Sequence, residues 1–372
     1  MVSRNDASPE IAASRLRWCE ERRWLHQHQP QLATLARQLY PAEYRLPHTG
    51  LLARPEWLLP EPVELASLTL RLDERPQTVG VNGSEPESEA VRPLRTAGVR
   101  FERYTSAMKH LNPPTLFKGG PGYRLLDASL ASRRLEFGLA GYFDMIDVPE
   151  ALTHEIAAVC IVEGLPRSAE SLRGRLPFRE LVGDPFDLHR RAVIPGIATL
   201  TIRLRRYPAE SSFLLHWRDP AKVAAGGGIY SVIPQGVFEP SGVALWDRHN
   251  DFDLWCNIAR EYSEELLGAP EHDGTRSEPI DYEKWPLFQR FQRARNDGSV
   301  GVFSLGLGLV PSTLTASILT VVVIDDDVFT EMFGETVQFN EEGEIIAVGG
   351  GTPTEGIPFT EAALRRMLEN EL

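Results

Sequence analysis

The sequence predicts an α/β protein in two parts, an N-terminal α+β domain over about 1–185 and a second domain over 190–372. Three observations predict it. At 372 residues the chain exceeds one average domain. Its texture changes near Ile194, from helical and proline-rich stretches to a series of β-branched runs. Among those runs lies one amphipathic stretch, 251–268 (DFDLWCNIAREYSEELLG), around which the second part is organised.

Composition narrows the function classes. A hydrophobic fraction of 42% is ordinary for a globular chain with a sizeable core. The formal charge of 39 − 52 = −13 argues against a non-specific nucleic-acid or anionic-membrane binder. Cys19, Cys160 and Cys256 lie far apart with no CxxC. That fits a reducing, cytoplasmic setting better than a disulfide framework or a thiolate zinc site. The opening MVSRNDASPE lacks the apolar run of a secretion signal. Residues 299–324 carry no charge and are long enough to span a bilayer. Their glycines, Pro311 and Ser/Thr cluster predict instead two β-branched strands joined at 311–313, and no membrane partner is expected.

The first part begins with Ser8-Pro9-Glu10, a capping serine followed by proline at the first helical position, so a helix is expected to about Leu25. A second helix is expected at 31–39, irregular proline-rich chain at 40–61, a strand at 63–72 and a mobile loop at 77–91. FKGGPG at 117–122 reads as a tight turn, because Lys118 precedes the glycines and the order of a phosphate-cradling loop is missing. A strand is expected at 135–143 and then a helix beginning at Asp147, with Pro149 in its first turn. His154-Glu155 lacks a second histidine, since position 158 is Ala158, and carries no metal role.

In the second part strands are expected at 198–205, 212–217 and 229–233, with a loop through Gly226-Gly227-Gly228. A hairpin is expected from 337–340 and 344–348, and a closing helix at 359–368 capped by Thr360. In 251–268, Trp255, Ile258, Ala259, Tyr262 and Leu266 form one apolar stripe. Asp253, Asn257, Glu261, Glu264 and Glu265 fall on the other side, with Arg260 beside them. Asn250 or Asp251 is expected to cap this helix, and Gly268 followed by Pro270 to end it. Carboxylates at such spacing suit a hard divalent cation, which takes oxygen ligands; the alternative is a solvated helix face.

Arg260-Glu261-Tyr262-Ser263-Glu264-Glu265 resembles the R-E-U-x-E-E core of the Nudix box, U being a bulky apolar or aromatic residue. The full motif, G-x5-E-x7-R-E-U-x-E-E-x-G-U, is a loop-helix-loop that binds Mg²⁺ or Mn²⁺ in hydrolases of nucleoside diphosphate-linked compounds. Pro234-Gln235-Gly236 stands where the family has its Pro-Gly-Gly turn, and 199–204, 213–217 and 299–324 are similar to strands of its mixed sheet. The resemblance covers roughly 195–350 and implies a Nudix-like α/β/α sandwich. It implies Glu264 and Glu265 as metal ligands, Glu261 as a further ligand or the base that activates water, and Arg260 as the partner of a helix carboxylate. The implied ligand is a small nucleotide or other diphosphate compound; a homodimer is compatible with it and no nucleic-acid partner is expected.

Two departures bear on activity. From Gly236 to Arg260 is 260 − 236 = 24 positions where the motif implies about 14, so 243–252 reads as an insertion. Gly242 stands where the first glutamate belongs, and Glu239, Asp251 and Asp253 are the candidates to replace it. Leu267 stands at the motif's last glycine, with Gly268 one position later. A catalytically inactive Nudix-like nucleotide sensor or regulatory module is therefore the alternative. Asp325-Asp326-Asp327, His249, and the indoles of Trp217, Trp246 and Trp255 are further candidates for ligand contact, each with a charged turn, a polar loop or core packing as its plainer explanation.

Overall fold

Ser8 accepts from the Ile11 N–H and caps α1 (Pro9–Gln27), and α2 (Gln29–Gln38) follows. The structure, a computed structural model, describes residues 8–114, 117, 119–207, 210–218, 230–270, 278–334, 343–346 and 356–369. It is an α/β fold with mixed sheets. The proline-rich stretch hides a strand, β1 (Leu58–Glu64), in which Pro60 and Pro62 cannot donate to a ladder. An edge tolerates them, and among the described residues β1 pairs only with β12 (Val300–Leu309). The run expected as one strand at 63–72 is the end of β1, a 3₁₀ turn and β2 (Thr69–Leu72), which belongs to another sheet.

Residues 77–85 are loop, as expected, and Pro86–Val91 form a 3₁₀ helix. The Glu85 carboxylate accepts from the N–H groups of Asn82 and Gly83 at 2.7 and 2.8 Å, and Val81, Ser88 and Val91 are buried. After the ribbon β3 (Leu94–Thr96) and β4 (Val99–Arg100) come α3 (Tyr104–Leu111), β5 (Pro121–Ser129), β6 (Arg134–Gly141), α4 (Tyr142–Glu163) and α5 (Pro177–Val182). Helix α4 starts at Tyr142 rather than Asp147, which puts Pro149 inside it. Burial of Met145, Ile146, Val148 and Leu152 outweighs a proline penalty of about 3 kcal/mol.

His154 and Glu155 are satisfied core groups. His154 lies 2.7 Å from the Tyr104 hydroxyl and 2.9 Å from the Glu21 carboxylate. Glu155 caps α5 by accepting from the N–H groups of Phe178 and Arg179 at 2.6 and 3.0 Å. Burial nonetheless pushes its carboxyl up to about 7, against those bonds and the Arg179 charge. A raised value means the folded protein holds the proton between pH 4.5 and 7. Stability from this group is fully present below 4.5 and lost as pH rises through 7. In urea titrations across that window, Glu155→Gln is expected to lack this loss, on the order of 3 kcal/mol by pH 7.

The second part runs β7 (Gly196–Arg205), β8 (Glu210–Phe213), β9 (Leu215–Arg218), β10 (Tyr230–Val232), β11 (Gln235–Val237), α6 (Asp247–Asn250), α7 (Leu254–Glu265) and α8 (Pro286–Asn296). Strand β12 is next, then β13 (Ala316–Asp325), α9 (Asp326–Phe333), β14 (Gly343–Ile346), β15 (Ile357–Pro358) and α10 (Glu361–Glu369). The uncharged 299–324 is the antiparallel pair β12–β13, and no helix among the described residues is long and apolar enough to cross a membrane. Thr360 caps α10 as expected, accepting from the Ala363 N–H. The strand expected at 344–348 appears as β14 and pairs with β9; positions 337–340, 226–228 and Lys118 lie outside the described residues.

The main sheet is ordered β1-β12-β13-β7-β8-β15, with β13 parallel to β7 and β11 antiparallel along the first residues of β7. Thr199 and Thr201 alternate with Leu200 on β7. Thr201 bonds the Tyr262 hydroxyl of α7 at 2.6 Å, and Tyr262 packs on Phe291 of α8 and Phe333 of α9, so three helices cover that face. Leu200, on the other face, shares a small cluster with Phe213, Ile357, and Ala363 and Leu364 of α10.

Contacts also cross the division expected near 185–190. Besides β1 on β12, Leu52 and Leu309 exchange backbone hydrogen bonds, and Tyr123 N–H donates to the Phe238 carbonyl at 3.0 Å. One continuous hydrophobic cluster runs from Trp18 to Phe333.

Candidate functional site

Asp253 caps α7, accepting from the Cys256 N–H at 2.9 Å, which displaces the expected caps Asn250 and Asp251 by two or three positions. Every residue of the expected apolar stripe is buried, and Gly268 ends the segment with a φ of +64° that a side chain would strain. The opposite face is not a solvated ladder. Asn257, Arg260 and Glu265 are buried and Glu261 and Glu264 half-buried.

Arg260 decides how this face is built. The expected partner was a carboxylate of the same helix; the structure supplies Asp251, from the loop before it, at 3.4 Å. The guanidinium also donates to the Glu239 carbonyl at 2.6 Å and to Asn257 Oδ1 at 2.9 Å. Asp251 is fully buried and saturated. Its oxygens accept from Ser241 N–H and Oγ–H at 2.7 and 2.6 Å, and from Asn250 Nδ2 and Tyr282 Oη at 2.9 Å each. Burial alone would lower the Arg260 pKa, but Tyr282, Asp251, Glu261 and Glu264 outweigh it and raise the value, so the charge stays. An ion pair on a helix surface is thereby replaced by a buried clasp.

The clasp closes the inserted stretch at its neck, since Ser241 and Asp251 stand at its two ends. Phe238 and Phe252 flank it and pack with Tyr123 and Phe137 of the first part, ring centres 4.5–5.8 Å apart, while Tyr123 Oη donates to the Arg248 carbonyl at 3.1 Å.

Beyond the clasp, two helix carboxylates meet adjacent residues of β11. Glu265 holds both oxygens 3.3 Å from the Gln235 N–H. Glu261 accepts from Asn257 Nδ2 at 3.3 Å and lies over Gly236, where an added Cβ would come within 2.0 Å of its carboxylate. A side chain at position 236 would have to displace that carboxylate.

No family model and no curated protein matches this chain. The site therefore has to be read from its own residues. Glu261, Glu264 and Glu265 suit Mg²⁺ or Mn²⁺ in kind, being hard oxygen donors one turn apart, and the room at Gly236 keeps Glu261 close to the strand. Their arrangement is open: among the described residues no three His, Cys, Asp or Glu side chains are gathered as a metal-binding group.

The other candidates have plainer partners. Asp325 pairs with Arg206 at 3.2 Å, and Asp326 with Arg203 and Arg205, so this acidic run is an ion-paired start to α9. His249 is exposed and sits 3.2 Å from Glu74. Trp255 is core, Trp246 is half exposed, and the Trp217 side chain lies outside the described residues. Sequence reasoning named Asp251 as one of three candidates and passed over Ser241 and Tyr282. Neither obeys a helical or strand period relative to Arg260, so no spacing marks them.

Proposed function

We propose that the second part is a Nudix-like α/β/α module that hydrolyses a nucleoside diphosphate-linked or related diphosphate compound with Mg²⁺ or Mn²⁺, in a cytoplasmic setting. What supports this reading is the buried Arg260–Asp251 pair at 3.4 Å, Asp251 being one of the candidates for the glutamate that Gly242 replaces. Glu264 and Glu265 would hold the cation, with Glu261 a further ligand or the base that takes the proton of the attacking water as the P–O bond breaks. A bound divalent ion would offset phosphate charge and acidify water. A chain of net charge −13 presenting three carboxylates needs such an offset to admit an anionic substrate.

The second reading, a nucleotide sensor without turnover, is favoured by the open arrangement of the three carboxylates and by Glu265's hold on the Gln235 N–H. Incubation with a panel of nucleoside diphosphate-linked compounds separates the two. The first expects product formation in Mg²⁺ or Mn²⁺, loss with chelator, and at least a tenfold fall in Glu264→Gln and Glu265→Gln. Ligand-induced stabilisation without product supports the sensor. No product and no shift in melting would remove both.

A further inference from the structure

We infer that the hydrogen-bonded chain Glu21–His154–Tyr104–Arg22–Glu150 is an acid-sensitive latch, which holds α1 on α3 and α4 while His154 is neutral and loosens when His154 takes up a proton. The inference lies in the first part of the chain and is independent of the metal-dependent reading above. His154 and Tyr104 are wholly buried, and Arg22 nearly so. His154 Nε2 lies 2.9 Å from the Glu21 carboxylate, and Nδ1 lies 2.7 Å from the Tyr104 hydroxyl. Arg22 Nη1 donates to the same hydroxyl oxygen at 2.9 Å and also to Glu150.

The ends of the chain fix its direction. A carboxylate can only accept, so Nε2 of His154 carries the hydrogen and donates it to Glu21. A guanidinium can only donate, so the Tyr104 oxygen accepts from Arg22 and gives its own hydrogen to the bare Nδ1. Every link is satisfied, in one tautomer only. A proton added at Nδ1 reverses the link to Tyr104. Among the described residues the Tyr104 hydroxyl bonds only Arg22 and His154, so its hydrogen is left without an acceptor in a buried site, and its oxygen faces two cations. Glu21, Arg22 and His26 face the imidazole from α1, Tyr104 from α3 and Glu150 from α4, with the Trp18 indole stacked on it at 6.1 Å. Burial lowers the His154 pKa against Glu21 and Glu150, and the Arg22 charge adds to the lowering. A lowered value means that an opened state binds the proton first. The latch is at full strength above the ordinary histidine value of 6.5 and weakens as pH falls below it.

The test uses the full chain, with isotope-labelled histidine read by NMR and with segment-resolved hydrogen exchange corrected for intrinsic rates. At pH 7.5 the His154 ring nitrogens are expected to show the Nε2–H tautomer, with Nδ1 bare. Between pH 7.5 and 5.5 the opening of α1 is expected to rise about tenfold more in the wild type than in His154→Gln, the effect of one proton. The glutamine amide can donate to Glu21 and accept from Tyr104 but takes up no proton in this range. His26 and Glu155 are present in both proteins, so their titration cancels in the comparison. Equal pH dependence in the two proteins overturns the inference. Should the variant not fold, the wild type alone decides: α1 opening that does not rise with acid overturns the inference, as does an Nδ1–H tautomer or an imidazolium at pH 7.5.

Discussion

Replacing Arg260 by alanine is expected to lower unfolding free energy by about 3–5 kcal/mol, read as a fall in urea midpoint at unchanged slope. A helix-surface ion pair would give less than about 1 kcal/mol, so the size of the change separates the two descriptions of this residue. The larger figure follows from what the truncation leaves behind. Asp251 would remain fully buried without its cation, and the Glu239 carbonyl and Asn257 Oδ1 would each lose a charge-assisted donor. Four donors from Ser241, Asn250 and Tyr282 would still reach Asp251, which keeps the expected loss from exceeding that range. Adding Asp251→Asn to Arg260→Ala should recover part of the loss, because the unpaired charge is then gone. A loss below 1 kcal/mol, or no recovery in the double variant, would refute the buried-clasp account.

How far the sequence disclosed this arrangement depends on whether a residue obeys a period. The stripe from Trp255 to Leu266 was legible because burial on one face imposes a spacing of 3.6, and β12 and β13 because an uncharged β-branched run interrupted at Pro311 marks two strands. Ser8 and Thr360 were legible as caps, because a cap is a local bond. Strand β1 was not, since its prolines argue against a strand and only its place at the sheet edge accommodates them. The start of α4 was missed for the opposite reason: tertiary burial carried a helix across Pro149. Glu261, Glu264 and Glu265 were singled out by the order of residues around Arg260, and the structure puts Glu261 over Gly236 and Glu265 on the Gln235 N–H. Asp251 was nameable but not selectable, and Tyr282 was invisible, because their meeting with Arg260 is made by loop closure rather than by any repeat.

The same loop closure ties the site to the first part of the chain, and that connection yields the other large expected effect. Phe238→Ala is expected to cost about 3–5 kcal/mol, the usual range for emptying a fully buried aromatic site. Its ring lies 4.5 Å from Tyr123, 5.2 Å from Phe137 and 5.8 Å from Phe252, so the cavity would open between β5, β6 and the inserted loop. Phe238 also precedes Glu239, whose carbonyl takes the Arg260 guanidinium, so the vacancy should loosen the clasp as well as the core. Because one hydrophobic cluster spans both parts and β1 completes the main sheet, the loss should be felt on both sides of residue 185. Segment-resolved hydrogen exchange is the direct readout: the slowest amides of α4 and of β13 should lose protection by the same free energy in Phe238→Ala. Loss confined to β13, with α4 protected as before, would mean that two independent units meet at this ring and that the first part merely leans on the site. Equal loss would mean that residues before 185 belong to the foundation on which Asp251 and Arg260 are held.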